Sequence, residues 1–425
     1  MRIGGRRVRT VALFGVLAVG LAGCAGADDS GGTDTGGSGE KVDEVVIGAP
    51  LPLTGTGGAF GVPYLAALQL TVDAINAKGG IKSLGGAKLR LEAVDDASDA
   101  ARDAQLIQQL AAKDVSAFVG PLLSASVISS VPVITRSERP FVGPNLDNAV
   151  TDAGSPWIFR VAGRATTWGD QAFDWLDGTL KAESSTVRKI GIVGIDVPPG
   201  TSTTEIIEAR AKGLGWEVVK INYDQRTTLD FAPIVSRLRD ANVDIVMGYQ
   251  NPNDAVLFAK AVSQQSWKPA NGFVWIAGGQ YLTSFKEAVG PIADSWVVES
   301  YAPELSASKT PEIKELAAQF EAKVNQPLRG LAGAAPAIIT VLAAAIEKAA
   351  SADPTKIRDA LKDLSFATPA DAPFPYYSMA GGVEFDDKGD NTRWKGIIVQ
   401  WEGDKQISVS PEEVTDGQLA WPATK

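Results

Sequence analysis

The chain has 425 residues, 45% hydrophobic and 21% charged, with a net charge of −10. This is enough apolar chain for two or three packed domains, and it excludes disorder throughout; forty basic against fifty acidic side chains, with no basic stripe, argue against a nucleic-acid surface. Histidine is absent and Cys24 is the single cysteine, which excludes Ser-His-Asp and Cys-His catalysis, imidazole zinc sites and internal disulfides.

The chain opens with Arg2, Arg6, Arg7 and Arg9 and an apolar run from Val11 to Ala22. That run is too short to span a bilayer, and a basic start before a short apolar stretch ending in small residues predicts a secretory signal peptide over 1–23. Leu21-Ala22-Gly23-Cys24 resembles the lipobox of bacterial lipoproteins, which implies lipid attachment at Cys24 and anchoring in the cell membrane. The alternative is an ordinary secretory peptide with an incidental cysteine. Residues 24–44 are rich in Gly, Ser and Asp without apolar period and predict a flexible tether reaching roughly 25 Å.

From Val45 the pattern alternates. Val45–Leu51 reads as a buried strand and Leu65–Ala77 as a helix stopped by Gly79-Gly80. Lys88–Val94 reads as a strand, Ala100–Ala112 as a helix and Val115–Val119 as a strand. Ile190–Gly194, Val218–Ile221, Asp244–Met247, Val274–Ile276 and Trp296–Glu299 repeat the strand theme. Such alternation predicts an α/β protein with two doubly wound parallel sheets, and ligands in such folds sit beyond the carboxyl ends of strands or between domains. Ile338–Ile346 is very apolar but short, and reads as a core helix.

Phosphate motifs fail. Gly55–Gly61 is glycine-rich after a strand, but Phe60 stands where a dinucleotide fingerprint needs glycine, and no Walker-type Gly-Lys-Ser/Thr occurs. Asp95-Asp96 could be imagined as a carboxylate pair or metal site; adjacent strand-end residues point apart, so a capping role at the start of the next helix is expected. No catalytic residue, metal site or cofactor emerges, and no enzyme activity is expected.

Ile47-Gly48-Ala49-Pro50-Leu51-Pro52-Leu53-Thr54-Gly55, Phe60-Gly61 and Val72–Ile81 are followed in order by Val94-Asp95-Asp96, Phe118–Pro121, Phe159-Arg160 and Phe385–Gly389. Over roughly residues 45–410 the chain resembles the type I periplasmic binding proteins, and most of all the branched-chain amino acid (leucine-type) substrate-binding lipoproteins of ABC transporters. The resemblance implies two α/β lobes joined by a three-segment hinge, 45–161 with 300–393 and 162–299 with 394–425. They would close on a small solute, an amino acid, amide or carboxylic acid, and deliver it to an ABC permease as a monomer. A tethered ligand sensor of the same fold is the alternative.

Carried over by position, the resemblance implies that Phe60 is an aromatic lid and that Ser124 binds a ligand carboxylate at a helix start. Asn145, Leu146 and Asp147 fall in the family's other carboxylate-binding segment. Tyr249 or Gln250 falls at a tyrosine of the second lobe, and Leu331 at an aromatic wall. Gly279 or Gln280 falls where the leucine-type proteins carry the Glu that pairs with the ligand ammonium. Pro199 replaces an expected tyrosine, Trp168 a glutamine, Ala165 an aspartate, and Leu123 stands at a cysteine of some relatives. With no side chain at Gly279 and a neutral one at Gln280, weak binding of leucine, isoleucine and valine is expected unless Asp147 supplies a replacement carboxylate.

Overall fold

The structure, a computed structural model, describes residues 42–421. Cys24, the apolar run before it and nearly all of the expected tether lie outside the described residues. Strand β1 (Glu44–Leu51) buries Val45, Ile47, Ala49 and Leu51 completely, as a central strand covered on both faces must. It pairs in parallel with β2 (Lys88–Asp95) from Glu44↔Lys88 to Leu51↔Asp95, so the expected tether ends one residue early, at Asp43. On its other edge lies β3 (Ala117–Phe118), then β4 (Phe141–Gly143) and β5 (Ile158–Arg160), giving a parallel sheet of order β2-β1-β3-β4-β5. Gly48 lets β3 come close, because a Cβ there would stand 2.8 Å from the Phe118 ring.

The helix after β1 runs Gly58–Ala77 and starts seven residues before the expected Leu65, because Gly57-Gly58 reads locally as a turn. Asp95 and Asp96 do not cap the next helix. Asp95 accepts from the Leu53 N–H (3.0 Å), the Thr54 hydroxyl (2.7 Å) and the Ala97 N–H (2.8 Å), tying the turns after β1 and β2 together. The cap is Asp99, which accepts from the Ala101 N–H at 2.9 Å.

The second sheet comprises β6 (Lys189–Ile195), β7 (Glu217–Tyr223), β8 (Ile245–Tyr249), β9 (Phe273–Ile276) and β10 (Trp296–Ser300), parallel in the order β10-β9-β8-β6-β7. A hairpin of Ile397–Glu402 and Lys405–Ser410 extends it antiparallel beyond β10. The helix Gly330–Ala349 packs on Gly58–Ala77 and buries every residue from Ile338 to Ile346, which makes it the core helix its composition predicts. Among the described residues, two helical stretches, Gly55–Ala77 (a 3-10 turn leading into the first helix) and Gly330–Ala349, are long and apolar enough to cross a membrane, but 89% of the apolar window of the second is buried inside the protein.

The chain passes between the sheets three times: after β5, after β10, and on entering the hairpin. Trp168 sits where these passages meet. Its ring centroid lies 4.5 Å from Trp394 and 4.7 Å from Tyr301, and its indole N–H donates to the Gly163 carbonyl at 2.8 Å. Gln171 ties the same place, donating to the Trp394 carbonyl and accepting from the Gly396 N–H at 2.5 Å.

Candidate functional site

Each sheet reverses its strand order once: β2 lies to one side of β1 and β3 to the other, and β7 and β8 flank β6 in the same way. A reversal leaves a crevice at the carboxyl ends of the two flanking strands, because the outgoing loops diverge there. Both crevices face one cleft of about 210 Å³. The first sheet brings Thr56 after β1, Ser98 after β2, Leu122–Ala125 after β3 and Pro144–Leu146 after β4. The second brings Val197 and Pro199 after β6, Gln225 after β7, Tyr249 and Asn251 after β8, Gly278 and Tyr281 after β9, and Tyr301 after β10. Phe60 and Leu331, from the two long helices that pack together, complete it.

Phe60, Ser124, Asn145, Leu146, Pro199, Tyr249 and Leu331, all singled out from the sequence, therefore share one cleft. Ser124 is the first residue of the helix Ser124–Ser137. The N-cap is Leu123, whose side chain makes no capping bond, and the first turn carries no acid. Its unpaired N–H groups leave partial positive charge at the wall of the cleft. Asn145 is held by its amide, which donates to the Leu122 carbonyl at 2.8 Å. Desolvation pushes the Tyr249 phenol up to about 12 and raises Tyr301 further, so both are neutral hydroxyls at ordinary pH. Neither hydroxyl has a hydrogen-bond partner among the described residues.

Arg160, fully buried at the end of β5, shapes the wall from behind. One guanidinium nitrogen donates to the carbonyls of Asn145 (2.9 Å), Leu146 (2.9 Å) and Asp147 (2.7 Å), while Nε pairs with Asp390 at 2.7 Å. The planar fork serves three sites at once, Nη1 the carbonyls, Nε Asp390 and Nη2 the Thr151 hydroxyl at 2.6 Å; a lysine ammonium has no such spread. Sequence reading noted Arg160 only as part of the Phe159-Arg160 match, since nothing local marks a partner 230 positions away.

Four expected positions do not line the cleft. Trp168 is buried at the passages between the sheets, where its large apolar ring is a packing element. Asp147 turns away, Oδ1 accepting from the Ala149 N–H at 2.8 Å and Oδ2 from the Ser202 hydroxyl at 2.6 Å. Gln280 is fully buried, its side-chain N–H donating to Gln250 Oε1 at 3.0 Å and its backbone carbonyl accepting from the Trp401 indole at 2.9 Å. Gln250 is thereby engaged as well. At Gly279 a Cβ would stand 2.4 Å from Pro252 Cα, so the backbone there admits no side chain. Tyr281, Tyr301, Gln225 and Asn251 line the cleft but were missed, because each follows a strand end with no motif around it.

Comparison with known proteins agrees with this geometry. A Leu/Ile/Val-binding protein homolog of Brucella abortus is 27% identical over 386 residues, spanning 88% of this chain and 93% of that protein. The fold is shared with a branched-chain amino acid transporter substrate-binding protein of Streptococcus pneumoniae solved with isoleucine (18% identity, 87% of this chain and 100% of that one, TM-score 0.71). It is shared equally with an ABC transporter solute-binding protein of Rhodopseudomonas palustris solved with 3,4-dihydroxybenzoic acid (19% identity, 88% and 98%, TM-score 0.72). The family profile described as periplasmic binding protein matches residues 44–405, and with two sheets facing one cleft across three passages the chain belongs to that family, in its type I fold.

Proposed function

We propose that this chain is the extracytoplasmic solute-binding lipoprotein of an ABC importer. Cys24 carries the lipid, residues 25–43 are the tether, and two lobes divide the rest, 45–161 with 300–393 and 162–299 with 394–425. They close on a small polar solute and present the closed form to a membrane permease. The observation that carries the reading is the convergence of both sheets' carboxyl ends on one cleft. The transporter assignments of the Streptococcus and Rhodopseudomonas proteins support it. Closure around a solute supplies a shape that a permease can distinguish from the empty protein, with affinity and signal coming from the same contacts.

Two measurements test it. The full chain should partition into the detergent phase and lose this property on Cys24→Ser; equal partitioning of both forms refutes the anchor. Protein purified under native conditions should carry a small solute by mass spectrometry or gain melting temperature with one from a library of amino acids, amides and acids. A chain that does neither is not a solute receptor.

A further inference from the structure

The cleft holds hydrogen-bonding groups but no ionised ones: among the described residues that line it, none is Asp, Glu, Lys or Arg. Four nearby carboxylates are turned to other partners. Asp147 is closed off by Ala149 and Ser202, and Asp95 by Leu53, Thr54 and Ala97. Asp224 is turned to Arg226, and Glu304 to Arg329. After β9, Gly278 (φ +88°) and Gly279 are pressed against Gln250 and Pro252, which leaves no room for an acid on that turn.

What the cleft does offer is donors and apolar surface. The Tyr249 and Tyr301 hydroxyls lack partners among the described residues, and Tyr301 is only 7% exposed. The uncapped helix start at Ser124 adds N–H groups. Phe60, Leu122, Leu146 and Leu331 give an apolar wall. An ammonium enclosed there would exchange water for no counter-charge, a loss that a solute without the amine avoids.

Resting on the solute-receptor reading, we infer that the cleft selects small solutes with an apolar body and oxygen acceptors and without an ammonium group, that is, carboxylic acids and their amides rather than free amino acids. The acceptor oxygens take the tyrosine hydroxyls and the N–H groups at Ser124, and the hydrocarbon part lies against Phe60 and the leucines.

The test is a matched titration of ligand-stripped protein with branched-chain and aromatic amino acids and with the acids and amides of the same carbon skeletons, such as leucine against 4-methylpentanoate and 4-methylpentanamide. The amine-free member of at least one set should bind roughly tenfold or more tightly than its amino acid, the value of one charge-assisted contact. Asn251→Asp, which places a carboxylate on the wall, should narrow or reverse that ratio. Any amino acid that binds more tightly than both its counterparts overturns the inference. So does tight binding of glycine betaine, which would assign the aromatic side chains to a cation. Binding of neither series, with no solute carried through purification, removes the receptor reading and the inference with it; an amino acid carried through removes the inference alone.

Discussion

The Ser202 hydroxyl donates a 2.6 Å hydrogen bond to Asp147 Oδ2, and this bond ties the loop after β4 to the helix after β6 beside the cleft. Asp147 follows Leu146 in the loop after β4, and Ser202 lies in the first turns of the helix Pro198–Gly213 after β6. Leu146 and Pro199, their near neighbours, line opposite walls. The carboxylate is also set near a helix N-terminus, where the backbone dipoles favour negative charge. Asp147 is thus a contact between the two walls, not a group offered to the solute.

Removing the Ser202 hydroxyl takes one charge-assisted hydrogen bond from the state in which the walls meet. Ser202→Ala should weaken solute binding by about 1–2 kcal/mol, roughly five- to thirtyfold in Kd, and Ser202→Thr should retain most of the affinity. Calorimetric titration with the solute carried through purification measures this. An unchanged Kd for the alanine variant would show that the bond is absent from the bound form.

Arg160→Met should destabilise the protein by about 3–5 kcal/mol, because it leaves Asp390 buried with a weaker set of partners and strips three carbonyls of their donor. Arg164 Nη1, 3.1 Å from Asp390, supplies only part of the lost charge. Arg160→Lys should recover little, since one ammonium does not reproduce the fork. Urea unfolding should show a lower midpoint at an unchanged slope. A midpoint within error of the wild type would mean that the loop at 145–147 holds its shape unaided.

Much of the frame was legible in the sequence. Val45–Leu51 is uniformly apolar because β1 is covered on both faces, and Ile338–Ile346 because its helix fills the core. The short strands Phe141–Gly143 and Ile158–Arg160 carry too few residues to set a period, and neither the antiparallel hairpin Ile397–Ser410 nor its edge position was marked. Cleft-lining residues were legible where a resemblance placed them beyond a strand end. It could not tell cleft from core within one turn of chain: Trp168 and Gln280 lie inward, while Tyr281, one residue beyond Gln280, lines the cleft. Side-chain direction there depends on partners such as Trp394 and Gln250, which are distant in sequence.

Two buried acids give stability an unusual pH dependence. Burial pushes Asp96 up to about 6, with Asp95 adding repulsion and the Ser98 N–H, Arg102 and Asp103 partly opposing it, and pushes Asp103 up to about 7, with Asp96 and Asp99 adding repulsion and Ser126 partly opposing it. Both Asp103 oxygens lack a geometrically sound hydrogen bond among the described residues. The unfolded chain ionises near the ordinary carboxylate value of about 3.9, so between about pH 4 and 7 it releases protons that the folded protein retains. Stability contributed by this pair therefore falls as pH rises through that window and levels off above it. Asp103→Asn should melt several degrees higher than the wild type at pH 8 and about equally at pH 4. A constant difference at every pH would locate the effect in packing.

Gly279 offers the sharpest test of the cleft's closed wall. Its missing side chain would meet Pro252 Cα at 2.4 Å and Pro252 N at 2.8 Å, both backbone atoms that cannot step aside as a flexible side chain would. Its N–H is already spent on the Gln250 carbonyl at 2.9 Å. Gly279→Glu should therefore lower stability by about 1–3 kcal/mol, the usual cost of forcing atoms into a filled space, and should add no affinity for leucine. Asn251→Asp, at the half-buried N-cap of the helix Pro252–Gln264 on the same wall, where an acid is favoured, should fold normally and bind leucine more tightly than the wild type. Thermal melting and calorimetry on the two variants separate the cases. A stable Gly279→Glu protein that binds leucine at micromolar concentration would show that this turn can open to admit a carboxylate.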